Sequence, residues 1–498
     1  MWTIYDGRST TRLPLPPALA LCKHPNVCLP PPRPAAVPPM GSPASKQHVA
    51  FVAFPFGSHP GAIFPVARAV AAAAPSAVVS FLGTARALAS LPPADDTPNL
   101  RFVPVADGVP DESPPPREVL ELIGLFLEAT PGNLKEGMAA AVAGAGGAPV
   151  ICVVSDAFVW MSGDVAEEMR VPWVPLCPGG TAALSAHLHT DLLRRKLGVG
   201  DQALAGREED LLDFIPGLSV HRVRDLPEGV VTGPLDSPFS VLLHRMADRL
   251  PKAAAIAFNT IPGLEPAIEE SLATVFSKPF TIGPFHILGP PSAPAPDPNR
   301  CLPWLDRHLP DAVAYVSFGS IMTPPPAELA QLAEGLEASG VPFIWSLKET
   351  ARESLPPGFL ERTKERGMVV GWAPQLAVLD HPAVGAFLTH CGWNSVLEGI
   401  AAGVPMACRP LFGDHRMIAR SMMLAWGNGI GFEGEAMTKD GVLKALDALL
   451  RGEEGKRLRA RAAELKEMAN KAVAPGGSST KNFASLLDFL LPEIKLNS

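Results

Sequence analysis

One stretch fixes more of this chain's architecture than any other. An apolar run over 384–388 ends at Thr389-His390, a Gly-Trp-Asn-Ser turn follows, and a helix-forming segment from Val396 is closed by Gly403. Strand, tight turn and helix in that order aim free backbone N–H groups and the positive end of a helix at one point. Such a point binds anions, phosphates above all. His390 falls at the carboxyl end of the strand, where open α/β sheets gather their ligand residues.

The rest of the chain repeats the pattern. Buried-strand runs are expected over 49–54, 77–82, 100–105, 150–154, 173–176, 255–259 and 280–282, with helices over 63–74, 119–127 and 134–143. The turn 55–59 is expected to separate the first strand from the first helix. A second series has strands over 314–318, 343–347 and 368–370 and helices over 326–339, 438–450, 454–473 and 482–491. Strands alternating with helices predict an α/β fold with parallel sheets covered on both faces. A run of prolines and alanines over 289–298 is the best boundary between the two series. Residues 1–46 are rich in proline and read as a disordered extension, with Met40 a candidate alternative start.

The polar residues around the 384–403 unit fit one kind of ligand. Trp372 can stack on a flat base, with Ala373 beside it, and Gln375 can read an amide edge. Asn394 and Ser395 can hold phosphate oxygens, next to Trp393. Glu398, one turn into the helix, can accept from two ribose hydroxyls, and Asp414-His415 suits sugar hydroxyls. Base, ribose, diphosphate and sugar make a nucleotide sugar. Each residue also has a plainer role. Ser395 and Glu398 have the spacing of a capping box, and Trp372 and Trp393 suit a core.

The stretch 372–415, with His-Cys-Gly-Trp-Asn-Ser and a glutamate three residues later, resembles the signature box of plant family 1 UDP-sugar glycosyltransferases. From about Gln47 onward the chain is similar to the flavonoid and anthocyanidin 3-O-glycosyltransferases among them. The resemblance implies a GT-B fold, two Rossmann-like domains facing across a cleft. Its domains would be 47–285 for the acceptor, a linker over 286–300, 301–475 for the UDP-sugar, and 476–498 as a helix returning to the first domain. It implies an inverting, single-displacement hexosyl transfer from UDP-glucose or UDP-galactose to a flavonoid. The acceptor would be deprotonated by His59 with Asp156 as its partner. Histidine's ordinary pKa near 6.5 suits that task, and a carboxylate can fix the tautomer and stabilise the imidazolium. Phe56, Phe158, Phe239 and Phe412 are candidate walls for a flat acceptor, and His187 a candidate polar contact.

Three departures from the family pattern bear on specificity. The box ends Asp414-His415 where glucosyltransferases usually end Asp-Gln, and histidine there often accompanies UDP-galactose use. Cys177-Pro178 stands where close relatives carry Trp-Thr, a sugar contact, with Thr181 nearby as a substitute. Leu120 replaces a polar acceptor contact.

Composition narrows the alternatives. The chain has 498 residues, 47% of them hydrophobic and 18% charged, with a net charge of −8. No basic cluster points to nucleic acid or to an anionic membrane surface. The seven cysteines are scattered and odd in number. That argues for a reducing cytosol over a disulfide framework. No run of about 18 apolar residues predicts a membrane span, and a monomer is expected. No D-x-D triplet is present to hold a metal, so no cofactor is expected. Charge on the leaving diphosphate then falls to His390, Asn394, Ser395, Ser320 and the helix N-terminus. A nicotinamide dehydrogenase is disfavoured because no G-x-G-x-x-G follows the first strand. A nucleotide-sugar binding protein without turnover, and a transferase for another small phenolic, a terpenoid or a hormone, remain as rival readings.

Overall fold

The computed structural model describes residues 46–94, 97–110, 118–290, 295–434 and 436–492. The expected extension over 1–46 therefore lies, but for Lys46, outside the described residues. Part of the linker, 291–294, also lies outside them.

Two wholly parallel sheets organise the described chain. The first has the order β3-β2-β1-β4-β5-β6-β7. Its strands are β1 (His48–Val52), β2 (Val78–Thr84), β3 (Leu100–Val105), β4 (Val150–Asp156), β5 (Trp173–Cys177), β6 (Ile256–Phe258) and β7 (Pro279–Thr281). The second has the order β10-β9-β8-β11-β12-β13. It is built of β8 (Val313–Ser317), β9 (Phe343–Ser346), β10 (Gly367–Val370), β11 (Val384–Thr389), β12 (Met406–Cys408) and β13 (Gly429–Gly431).

The near-continuous apolar runs follow from burial on both faces. Along the first strand, Val49, Phe51 and Ala53 enter one core layer and Ala50, Val52 and Phe54 the other. β11 repeats this, with Val384 and Phe387 on one side and Ala386 and Leu388 on the other. The halves interlock. Met417, from the second half, is buried in the first half's core, and Ile261 and Leu264, from the first, are buried in the second's.

In each sheet the chain order reverses once, between β1 and β4 and between β8 and β11. Ligands of open α/β sheets bind at the carboxyl ends of the strands flanking such a reversal. Here those ends carry His59 and Asp156 in one sheet and Ser320 and His390 in the other.

Some local readings need correction. The first helix runs His59–Ala73, so His59 opens it and does not sit in a preceding turn. Pro60 fits there, because a proline in the first turn removes only an N–H that has no helical partner. β12 and β13 were not anticipated. The last helix is Ser478–Leu490, with Gly477 at its N-cap, so the serines of the Gly-Gly-Ser-Ser segment are inside it. It lies on the first sheet. Ser479 Oγ donates to the Gly283 carbonyl at 2.6 Å and Asn482 Nδ2 to that of Thr281 at 2.8 Å. Among the described residues no helix is long and apolar enough to cross a membrane.

Candidate active site

β1 and β4 are adjacent, so the residues leaving their carboxyl ends meet. His59 Nδ1 lies 2.7 Å from Asp156 Oδ2. The Asp156 side chain is fully buried while that of His59 is 20% exposed. The other carboxylate oxygen accepts the Phe158 N–H at 2.9 Å. With both oxygens occupied the carboxylate is fixed. Nδ1 carries the proton that it accepts, which leaves the Nε2 lone pair free.

Aromatic rings close around this pair. Phe158 lies 4.5 Å from the imidazole, centre to centre, and Phe54 5.2 Å. Phe54 also contacts Phe56, Phe126 and Phe158, and Phe158 contacts Phe239. Three of the four expected walls, Phe56, Phe158 and Phe239, are thus brought together. Phe54 and Phe126 join them and were missed. Phe412 is not part of this cluster. Its ring partner is His415, at 4.5 Å. His187 is buried, and burial pushes its pKa down to about 4. Leu120 is 54% exposed.

On the second sheet, β11 delivers His390 and the turn that starts the helix Trp393–Ala402. Gly392 is the N-cap, so Ser395 stands at the third helical position and the capping box does not form. The N–H groups of Trp393, Asn394 and Ser395 belong to the first turn, which has no helical acceptors. His390 is pushed down to about 4 by burial and is neutral at pH 7. The backbone closes tightly on its ring. A Cβ at Gly319 or Gly392 would lie 2.7 or 2.5 Å from its Nε2. Ser320 is exposed beside it.

The base and ribose residues sort differently from expectation. Trp372 is 48% exposed, as a stacking surface requires, and its carbonyl accepts from Asn299 Nδ2 at 2.8 Å. Ala373 is buried. Gln375 is not free to read a base through its amide hydrogens. Its Nε2 donates to Ser395 Oγ at 3.0 Å and to Glu398 Oε2 at 2.6 Å, and its Oε1 accepts from Tyr315 OH at 3.1 Å. It orients Glu398, whose carboxyl burial pushes up to about 7. Trp393 is core, with its indole Nε1 donating to the Asn259 carbonyl at 2.6 Å. Only its backbone remains for a ligand.

Asp414 lies near His59, and His415 lies against His390. Burial raises the Asp414 carboxyl to about 6, the Gly180 N–H donates to it, and His59 is near enough to affect its charge. His415 is buried, 4.9 Å from His390 ring to ring, and burial holds its pKa far below the usual value. Its Nδ1 accepts from the Leu411 and Phe412 N–H groups, both at 3.4 Å. The proton is therefore on Nε2. Thr181 does not replace the hydroxyl missing at Pro178, because its Oγ1 is bonded to buried Glu265.

A histidine–carboxylate pair among aromatic rings, together with a strand–turn–helix unit able to hold phosphates, suits a glycosyltransferase. Residues 89–466 match the family model for UDP-glucoronosyl and UDP-glucosyl transferase, and the chain belongs to that family. It is 51% identical to a myricetin 3-O-rhamnosyltransferase of Crocosmia x crocosmiiflora, over 90% of this chain and 98% of the relative. It is 50% identical to an anthocyanidin 3-O-glucosyltransferase of Zea mays, over 91% and 99%. An anthocyanidin 3-O-galactosyltransferase of Rhododendron delavayi is 46% identical, over 89% and 97%. A crystal structure of an anthocyanidin 3-O-glucosyltransferase in complex with UDP superposes with a TM-score of 0.84 at 38% identity, covering 90% of this chain and 99% of that one. The fold is GT-B and the protein is a UDP-glycosyltransferase.

Proposed function

We propose that the protein transfers a sugar from a UDP-sugar to the 3-hydroxyl of a flavonol or anthocyanidin, with inversion and in one displacement. The observation that carries this is the His59–Asp156 pair set inside a phenylalanine box and facing Asp414. Nε2 of His59 takes the acceptor's hydroxyl proton, and the oxygen attacks the anomeric carbon. The bond from that carbon to the diphosphate breaks, and its electron pair leaves with UDP. Asp156 stabilises the imidazolium that forms. The first-turn N–H groups of Trp393–Ala402, with Asn394, Ser395, Ser320 and neutral His390, meet the charge on the leaving group. These are the chain's own groups, so EDTA is expected to leave the rate unchanged.

Phe56, Phe158 and Phe239 suit a flat apolar ring system, and His187 suits one of its edge hydroxyls. Glucose and galactose differ in one hydroxyl orientation. His415, a fixed donor, is the residue placed to tell them apart. The scattered cysteines, five of which are free and buried, suit the reducing cytosol.

The test is the initial rate on quercetin with UDP-glucose, UDP-galactose and UDP-rhamnose in parallel, the last because of the rhamnosyl relative. A 3-O-glycoside from any of them supports the reading. Tight UDP binding with no product from any phenolic acceptor overturns it in favour of a binding protein.

A further inference from the structure

At the start of the donor helix the second half meets Asn259 and Ser58 of the first. Asn259 is 2% exposed and follows β6 directly. Its carbonyl accepts from Trp393 Nε1 at 2.6 Å. Its side-chain Oδ1 accepts the Phe285 backbone N–H at 2.8 Å. Its Nδ2 donates to Asn394 Oδ1 at 3.1 Å. Asn394 Nδ2 in turn donates to Ser58 Oγ at 3.1 Å.

The order of atoms in this chain follows from one end of it. Amide oxygen and nitrogen are assigned from their partners, and a backbone N–H can only donate. The Phe285 N–H therefore fixes the Asn259 oxygen. That turns the Asn259 nitrogen toward Asn394, which must answer with its oxygen and present its NH2 group on the other side. One hydrogen of that group goes to Ser58, the residue before His59. The other is free for an acceptor.

We propose that Asn259 is a positioning residue for the donor site. It locks the Asn394 amide with its NH2 group toward the diphosphate of the UDP-sugar and ties that amide to the turn that carries His59. Without the lock, the amide can turn its oxygen toward the phosphates, which are themselves acceptors. Asn259 touches neither substrate, so its effect must pass through Asn394. The inference rests on the UDP-sugar reading of the site above.

Binding of UDP, read by calorimetry without acceptor, tests it independently of turnover. Asn259→Leu keeps the number and branching of the side-chain heavy atoms and removes the side-chain hydrogen bonds. It is expected to raise the UDP Kd about tenfold or more, and the KM for UDP-sugar more than it lowers kcat, with the melting point lowered by a few degrees because the buried Phe285 N–H loses its acceptor. In an Asn394→Ala background the same change is expected to add little, because the amide it orients is gone. An unchanged Kd, or effects that add across the cycle, overturns the proposal. If Asn259→Leu fails to fold, Ser58→Ala removes the other tether at an exposed position. It is expected to raise the Kd about threefold alone and not at all beside Asn394→Ala, and a null or additive result there overturns the proposal equally. A wild-type protein that does not bind UDP would instead overturn the site reading.

Discussion

At the scale of single residues, His59 combines a fixed proton on Nδ1 with a partly exposed Nε2 among phenylalanines. Removing it should cost chemistry and spare donor binding. His59→Ala is expected to lower kcat by about 10²–10⁴ with UDP affinity within about twofold of wild type. Asp156→Asn keeps the volume and loses the acceptor for Nδ1–H, so it should fall in the same range. A His59→Ala enzyme retaining near-normal turnover would remove His59 from the mechanism. His415→Gln, by contrast, should leave the rate with the preferred donor within about tenfold and shift the ratio of UDP-galactose to UDP-glucose turnover. A ratio that does not move would transfer donor choice to the loop at Cys177–Thr181. Most of these residues were legible because they lie in one contiguous stretch or match a family position. Asn259 and Glu265 were not. Their partners are 26–156 positions away along the chain, and no spacing announces such a contact.

At the scale of elements, the strand–turn–helix unit was readable because a buried strand, a glycine turn and a glycine stop leave little freedom. What the sequence hid was the packing of one helix against its neighbour. Gln375 opens the short helix Gln375–Leu379, and its amide lies across Ser395 and Glu398 of the helix Trp393–Ala402. A residue with the right chemistry to read a base proved to be held by the protein itself. The ribose contact proposed for Glu398 would then make donor binding pH-dependent. Burial places the Glu398 carboxyl near 7, so it is largely protonated below that value and loses an acceptor for the ribose hydroxyls. The affinity for UDP-glucose, measured without acceptor, is expected to weaken on going from pH 8 to pH 5.5. The loss of a charge-assisted hydrogen bond amounts to about 1.5–3 kcal/mol, or roughly tenfold and more. Glu398→Gln should bind weakly and without this pH dependence. A wild-type affinity flat across that range would separate Glu398 from the ribose.

At the scale of the whole molecule, the halves are joined by buried polar groups as well as by side chains lodged in each other's cores. Glu265, in the first half, accepts from Thr181 Oγ1 of its own half and from Ser421 Oγ of the second at 3.4 Å. All three residues are buried. His221 Nε2 reaches Ser421 Oγ and the Met417 carbonyl at 3.1 and 3.2 Å. Burial raises the Glu265 carboxyl to about 7, against the opposing hydrogen bonds from Thr181 and Ser421. An unfolded glutamate ionises near 4.3. Between those values the folded chain holds a proton that the unfolded chain has released, so this group's contribution to stability falls as pH rises from about 4.3 to about 7 and is level above. Glu265→Gln keeps the shape and removes the titration. Relative to wild type, its melting point is expected to be similar or lower at pH 4.5 and to improve steadily toward pH 8, a relative gain of a few degrees. Glu398 and Asp414, also raised by burial, tilt both proteins alike, so the difference isolates Glu265. A difference that stays constant with pH would mean that Glu265 titrates in the folded protein as it does in the unfolded chain.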